Sequence, residues 1–149
     1  MERHLTILIA EDEPNDVLLL RKALAREGID NPIQVVNDGM EAIKYLQGEG
    51  QYVDRAHYPF PSVIFTDIKM PRMGGFEILK WLHTHPDCSV IPVIVLSASA
   101  EEKDIKQAYE LGANAYLVKP ATLGELQEMM RVTYQFWKQC AKPVIPGNC

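Results

Sequence analysis

The chain is short of cysteine, of long apolar runs and of positive charge, and each shortage closes off a class of protein. Cysteine occurs three times in 149 residues, at Cys88, Cys140 and Cys149. The number is odd and the positions are scattered, which weighs against a disulfide framework and fits a reducing, cytoplasmic setting. Lysine and arginine number 15 against 20 aspartates and glutamates, a net charge of −5, with a pI near 5.3. Surfaces that grip nucleic acid are usually basic, so no nucleic-acid partner is expected. No apolar run approaches the ~18 residues of a membrane span. The polar first residues lead straight into a strand pattern, so neither a membrane anchor nor a signal peptide is expected. What remains, 47% apolar and 23% charged, is the make-up of one globular domain and too short for two ordinary ones.

Strand and helix patterns alternate about five times, the signature of an α/β fold with a parallel sheet covered on both faces. The strands are read at Leu5–Ala10, Ile33–Val36, Val63–Thr66, Val93–Leu96 and Tyr116–Val118. Helices are read from Pro14 to Glu27, from Gly39 to Leu46 behind an Asp38 cap, from Phe76 to about Thr84, from Glu101 to Leu111, and from Thr122 to Cys140. Pro14 suits a first helical turn, Gly28 and Gly112 suit stops, and Thr122 with Glu125 suits a capping box. Gly48–Pro61 is longer than an ordinary connection and reads as a surface loop or a partner-binding insertion. His83, His85 and Cys88 invite a metal reading. Pro86 explains the stretch more simply as a helix end, since no second ligand cluster stands elsewhere.

Chemistry gathers at the strand ends. Val63–Thr66 reads as a buried strand, and Asp67 follows at once, before a loop closed by Pro71 and Gly74-Gly75. Open α/β sheets bind ligands at the carboxyl ends of their strands. The first strand ends in Glu11-Asp12, with Glu13 and Asp16 close behind, the fourth in Ser97, and the fifth in Lys119-Pro120. An acidic cluster repels free phosphate but suits Mg2+, a hard cation that takes one or two carboxylates and keeps several waters. Asp67 is the candidate nucleophile, because carboxylates form acyl phosphates in some phosphotransfer systems. Lys119 and the Ser97 hydroxyl are placed to neutralise phosphoryl oxygens. A cis Lys119–Pro120 bond would aim the lysine inward. Gly74-Gly75 would let the following loop curl back.

These residues resemble the receiver domain of two-component response regulators over about Leu5 to Met130. Glu11-Asp12, Asp67 with Met70-Pro71 and Gly74-Gly75, Ser97-Ala98 and Lys119-Pro120 stand in the family's order and spacing. The resemblance implies a flavodoxin-like doubly wound sheet of five parallel strands, order 2-1-3-4-5, in a single receiver domain spanning 1–149, with an extension and tail from about 131. It implies Asp67 as phospho-acceptor, with magnesium held by Glu11, Asp12, Asp67 and the backbone carbonyl of Lys69. Ser97 would be the switch hydroxyl, Tyr116 the switch aromatic and Lys119 the phosphoryl contact. Such a protein is a signalling phospho-acceptor with its own phosphotransfer and autodephosphorylation chemistry, not an enzyme with a separate substrate. Ala10–Asp16, the Gly48–Pro61 insertion, Tyr109–Tyr116 and Phe136-Trp137 are similar to the small response regulators of bacterial phytochromes. That implies a sensor histidine kinase of the phytochrome type as donor, a downstream protein or phosphorelay partner, and a homodimer. Ala121 departs from the family, many members of which have Phe after Lys-Pro, and Lys69 lies at a position where the family varies.

Two alternatives stand beside this reading. A haloacid-dehalogenase-type phosphatase also uses an aspartyl phosphate, but it wants an acid where Lys69 stands and places its acidic pair late in the chain. A receiver-shaped interaction module that is never phosphorylated would keep the fold without the chemistry. The last helix carries an apolar stripe through Leu126, Met130, Phe136 and Trp137. Its two aromatics are expected to run past the domain's edge into a dimer contact, unless Lys142–Pro146 folds back over them.

Overall fold

A computed structural model describes residues 5–144 and 147–149. Five strands, β1 (Ile7–Ala10), β2 (Ile33–Val36), β3 (Val63–Thr66), β4 (Val93–Ser97) and β5 (Ala115–Val118), form one parallel sheet in the order β2-β1-β3-β4-β5. Five helices, α1 (Pro14–Arg26), α2 (Gly39–Gln47), α3 (Gly75–His83), α4 (Glu102–Glu110) and α5 (Leu123–Gln139), complete the alternation. The doubly wound fold and strand order are as the sequence implied, and most boundaries agree within two residues.

The period-two geometry of strands decides which residue enters which half of the core. Leu8, Ala10, Ile64, Val93 and Val95 face α2, α3 and α4, where they meet Tyr45, Leu46, Ile78, Leu82 and Ala108. Ile7, Ile9, Val63, Phe65, Ile94 and Leu96 face α1 and α5, where they meet Leu20, Leu24, Leu126, Met130 and Trp137. β1, β3 and β4 are buried along their whole length. This is why they read as near-continuous apolar runs.

Local signals start the helices, two of them as expected. The Asp38 carboxylate accepts the Glu41 N–H at 2.9 Å, and the Thr122 hydroxyl accepts the Glu125 N–H at 3.1 Å. At α3 the Glu77 carboxylate accepts the Gly74 N–H at 3.0 Å. The 48–61 insertion is more ordered than a plain surface loop. It contains a short 3-10 turn at Gly50–Val53 and buries Tyr52 against Tyr45, ring centroids 4.9 Å apart. The Tyr45 hydroxyl donates to Pro59 O at 2.6 Å.

Two expectations need correction. Cys88 and Cys149, two of the three cysteines whose odd number and scatter weigh against a disulfide framework, are joined as a disulfide, with Cα atoms 5.8 Å apart. The chain beyond α5 returns to the buried Cys88, a path that cysteine spacing alone does not reveal, and the pairing removes Cys88 from any metal reading. Trp137, expected to project beyond the domain, is 7% exposed. It packs beneath the sheet against Ile7, Leu24, Val63, Phe65 and Ile94, around a small apolar cavity. The Lys142 ammonium lies 5.2 Å from the Trp137 ring centroid and donates to Trp137 O at 2.8 Å, so the fold-back is partly realised. Ile145 and Pro146, also in that expectation, lie outside the described residues. Phe136 remains 72% exposed, beside Val132 at 51%.

Candidate functional site

Sheet order and register bring the acidic strand ends together. β1 pairs with β2 on one side and β3 on the other, so the chain leaves β1 and β3 toward opposite faces and opens a crevice at their carboxyl ends. Ala10 is level with Thr66, which sets Glu11 beside Asp67. Backbone bonds fix both: Glu11 N–H to Val36 O at 3.0 Å and Asp67 N–H to Ala10 O at 3.1 Å. On the other side Ser97 is level with Val118. The Lys119 N–H then continues the ladder to Ser97 O at 2.7 Å, so the lysine leaves β5 toward the acidic crevice.

Lys119 is the centre of the site. Its ammonium donates to Glu11 Oε1 at 2.8 Å, Asp16 Oδ2 at 2.9 Å and Asp67 Oδ2 at 2.9 Å. An ammonium has three donors, and all three are used. Burial alone would lower the lysine, but the hydrogen bonds to Glu11, Asp16 and Asp67 outweigh it and hold the group above its ordinary value. Burial pushes Glu11 the other way, up from 4.5 to about 8, against the pull of Lys119. Its Oε2 is buried with no hydrogen-bond partner. Asp16 is lowered: burial opposes this, but its bond to Lys119 wins. The second oxygen of Asp67 accepts the Ile68 N–H at 2.7 Å and, more weakly, the Lys69 N–H at 3.4 Å.

The loop after Asp67 is braced rather than free. A Cβ on Gly74 would strike Ile68 O, and one on Gly75 would strike Asp67 O. These glycines therefore serve close backbone approach. The unusual backbone belongs to Arg72, at φ 63°, in a left-handed region that non-glycine residues seldom occupy. Its guanidinium grips Asp38 through Nε at 2.8 Å and Nη2 at 2.7 Å. Gly39 N–H donates to Met73 O at 2.8 Å, so the loop is tied to the start of α2. Lys119–Pro120 is trans, since the described residues contain no cis peptide bond. The β5 ladder, not a cis turn, aims the lysine.

Of the residues expected at the site, Glu11, Asp67 and Lys119 meet directly. Ser97 is 2% exposed, with its hydroxyl accepting the Ser99 N–H at 3.1 Å. The Tyr116 hydroxyl donates to Ser99 O at 2.8 Å. Asp12 and Lys69 are exposed and line an open groove with Ile68, Met70 and Phe76. As arranged, no three His, Cys, Asp or Glu side chains among the described residues are set to hold a metal ion. The reason is physical: the ammonium already sits among Glu11, Asp16 and Asp67 as their counter-charge. The donor set nonetheless fits a hard divalent cation in kind, because Glu11 keeps a buried oxygen with no partner and the neighbouring donors are carboxylates. Asp16 was noticed in the sequence only as a neighbour, yet it takes a third of the lysine's donors. Its position in the first turn of α1, four residues after Asp12, is the signal that could have singled it out. Ser99 and Asp104 were missed. Ser99 Oγ donates to Asp104 at 2.6 Å, which joins the Ser97 end of the site to α4.

An open five-stranded parallel sheet with an acidic pocket, a lysine and a hydroxyl at its switch point defines a receiver-type domain. Residues 7–131 match the response regulator receiver domain family, and the chain belongs to it. The match displaces the dehalogenase alternative. Response regulator Rcp1 of Synechocystis is 35% identical over 131 residues, covering 88% of this chain and 87% of that one. A crystal structure of its Mn2+-bound form superposes with a TM-score of 0.82 at 33% identity, covering 94% of this chain and 99% of that one. Response regulator RPA3017, in red light signaling of R. palustris, superposes at 0.89 with 35% identity, covering 94% and 99%. The phosphorylated cyanobacterial phytochrome response regulator RcpA superposes at 0.86 with 34% identity, covering 95% and 100%. The chain is thus similar to phytochrome-related response regulators along nearly their whole length. No helix among the described residues is long and apolar enough to cross a membrane.

Proposed function

We propose that the chain is a phosphorylation-dependent response regulator that accepts a phosphoryl group on Asp67 from a sensor histidine kinase. The observation that carries this is the Lys119 ammonium bonded to Asp67 at the carboxyl rim of the sheet, with Glu11 and Asp16 as its other partners. In phosphoryl transfer the protein acts mainly by positioning and by neutralising charge. A carboxylate oxygen of Asp67 attacks phosphorus, the bond to the donor nitrogen breaks, and an acyl phosphate forms. The ammonium follows its partner oxygen to the phosphoryl group without leaving the pocket. The Ser97 hydroxyl gives up the Ser99 N–H and turns toward another phosphoryl oxygen. Glu11, Asp12, Asp67 and the Lys69 carbonyl are the group proposed to hold Mg2+, which when bound supplies positive charge against the phosphoryl oxygens. Water later cleaves the acyl phosphate, so the chain turns itself off and is no enzyme with a separate substrate.

The same reading assigns the signal's exit. Tyr116 is tethered through its hydroxyl to Ser99 O, and Ser99 in turn to Asp104 of α4. Movement at Ser97 therefore changes the surface made by α4 and β5, a two-state element biased by local charge. Output passes by protein contact or phosphorelay. The likeness to RcpA and RPA3017 favours a phytochrome-type kinase, and residues 1–149 are taken as one cytoplasmic receiver domain with a core near 5–130. A homodimer is proposed on α5, now through Phe136 and Val132 rather than Trp137. Acetyl phosphate with Mg2+ should add one hydroxylamine-labile phosphate, seen by intact mass and absent in Asp67→Asn. Undiminished modification of that variant overturns the assignment; no modification of the unaltered chain by acetyl phosphate or by a phosphorylated kinase favours the never-phosphorylated module.

A further inference from the structure

The disulfide is not explained by the phospho-acceptor chemistry. α2 runs away from the site, so its final turn lies at the amino-terminal end of the sheet. Cys88, five residues before β4, lies at that same end, and α5 also ends there. Residues 147–149 dock at that rim through three kinds of contact. Cys149 is bonded to Cys88, its N–H donates to Leu46 O at 2.9 Å, and Asn148 Oδ1 accepts from Arg55 Nε at 3.1 Å and Nη2 at 2.6 Å. Arg55 belongs to the 48–61 insertion. Its guanidinium also donates to Leu46 O at 3.2 Å and Tyr58 O at 3.3 Å and lies over the Tyr45 and Phe60 rings. A Cβ on Gly48 would collide with Asn148 Oδ1. The insertion thus offers a receptor for the tail, with arginine as its clasp.

The two sulfurs differ in access. Cys88 is fully buried, whereas Cys149 is half-buried beside exposed Gly147 and Asn148. An attacking thiolate therefore reaches Cys149 first and expels the Cys88 thiolate. Without the covalent bond, the described residues 147–149 keep the hydrogen bonds to Leu46 O and Arg55 near the surface, against the entropy of ordering that stretch. We infer that Cys88 and Cys149 form a reversible dithiol–disulfide site that fastens the tail over the end of α2 and the 48–61 insertion. The co-reactants are a dithiol, or two molecules of a monothiol, in one direction and a low-molecular-weight disulfide in the other. Reduction runs through a mixed disulfide at Cys149. Cys88 leaves as a thiolate and is protonated, and the second thiol of the reductant then releases Cys149. Two electrons and two protons pass to the cysteines, and the reductant becomes a disulfide.

The site is independent of Asp67, and the test does not require phosphorylation. The full chain is equilibrated in glutathione buffers from reduced to oxidised, quenched with an alkylating agent and mapped by mass spectrometry. The expected result is a linked Cys88–Cys149 peptide with Cys140 alkylated under oxidising conditions, and all three cysteines alkylated after dithiothreitol. Hydrogen exchange is then followed over residues 46–58 in both forms. Amides there should exchange roughly tenfold faster once the tail is released, on the scale of a local opening, and Cys149→Ser should reproduce the reduced pattern at every potential. Arg55→Ala, with the disulfide intact, should loosen the tail by a smaller factor. Absence of the linked peptide across the series, pairing of Cys140 instead, or equal exchange over 46–58 in both forms overturns the inference.

Discussion

Replacing Lys119 by methionine keeps the apolar stem of the side chain and deletes the charge that three carboxylates share. Bonds of 2.8–2.9 Å to one tetrahedral nitrogen hold those carboxylate oxygens roughly 4–5 Å apart. At an effective dielectric of about 20, each pair of unit charges at that spacing repels by about 4 kcal/mol. The realised loss is smaller, because Asp16 is partly in water and Glu11 relieves the strain by taking up a proton. It should fall at about 2–3 kcal/mol, between an exposed pair, worth at most about 1, and a broken buried pair, worth about 3–5. For a domain of this size that is a fall in Tm of about 5–10 °C. Urea unfolding with and without Mg2+ separates charge from packing. The variant should gain more from Mg2+ than the unaltered chain does, since no ammonium has to give way. The gap should also be smaller near pH 7 than near pH 9, because the unaltered chain gives up the Glu11 proton near pH 8 and the variant keeps it longer. A deficit of the same size with and without Mg2+, at either pH, would refute the view that the lysine is the counter-charge of the carboxylate pocket.

Asp16→Asn takes away one ionised partner of Lys119 and one repelling charge, so acetyl phosphate should label Asp67 a few times faster; a rate unchanged or lower by stopped-flow fluorescence counts against Asp16 as a competitor for the lysine. Burial raises Glu11 from 4.5 to about 8, so the folded chain holds a proton that the unfolded chain releases between those values. The stability contributed by that proton is complete below about 4.5 and is lost as pH rises through about 8. Glu11→Gln should therefore flatten the fall in urea midpoint over that window, and Mg2+ binding to the unaltered chain should release protons in calorimetry at neutral pH. Trp137→Ala should cost about 3–5 kcal/mol, as for other large buried aromatics, while Phe136→Ala, at a side chain 72% exposed, should leave monomer unfolding within about 0.5 kcal/mol and weaken self-association in sedimentation.

The fold was legible because its strands are short and buried on both faces. Ile7–Ala10, Val63–Thr66 and Val93–Ser97 cannot alternate polar with apolar when helices cover both sides, so each stands out as a run bounded by polar residues. Asp38 and Thr122 were equally readable, since a cap is satisfied within three residues. The site was legible at the level of strand ends, because register places Glu11, Asp67 and Lys119 by counting alone. Side-chain direction escaped the sequence. Whether Asp12 or Asp16 faces the lysine depends on the turn of chain between β1 and α1. Whether a loop glycine serves dihedral freedom or close approach depends on which carbonyl lies beneath it. Here Gly74 and Gly75 lie against Ile68 O and Asp67 O, and the positive φ falls on Arg72.

Long-range returns of the chain were least legible, and one geometric cause accounts for both misreadings at the far end. α5 packs antiparallel to the strands on the α1 face, so its last turns pass beneath the sheet rather than beyond it. At that height Trp137 can reach Ile7, Val63 and Ile94, whereas Phe136, rotated by about 100° along a helix of 3.6 residues per turn, points to solvent. A stripe counted from sequence includes both rings, because a half-buried helix and a dimer-forming helix carry the same period. The same descent delivers the following residues to the rim where α2 ends and Cys88 waits, 61 positions back in the chain. A receiver whose last helix stopped near Met130 would have neither the aromatic plug nor the staple. Each needs a residue that the descent of α5 supplies: Trp137 and Cys149 lie beyond the family match, which ends at residue 131, while their partners, Ile7, Val63, Ile94 and Cys88, lie within it.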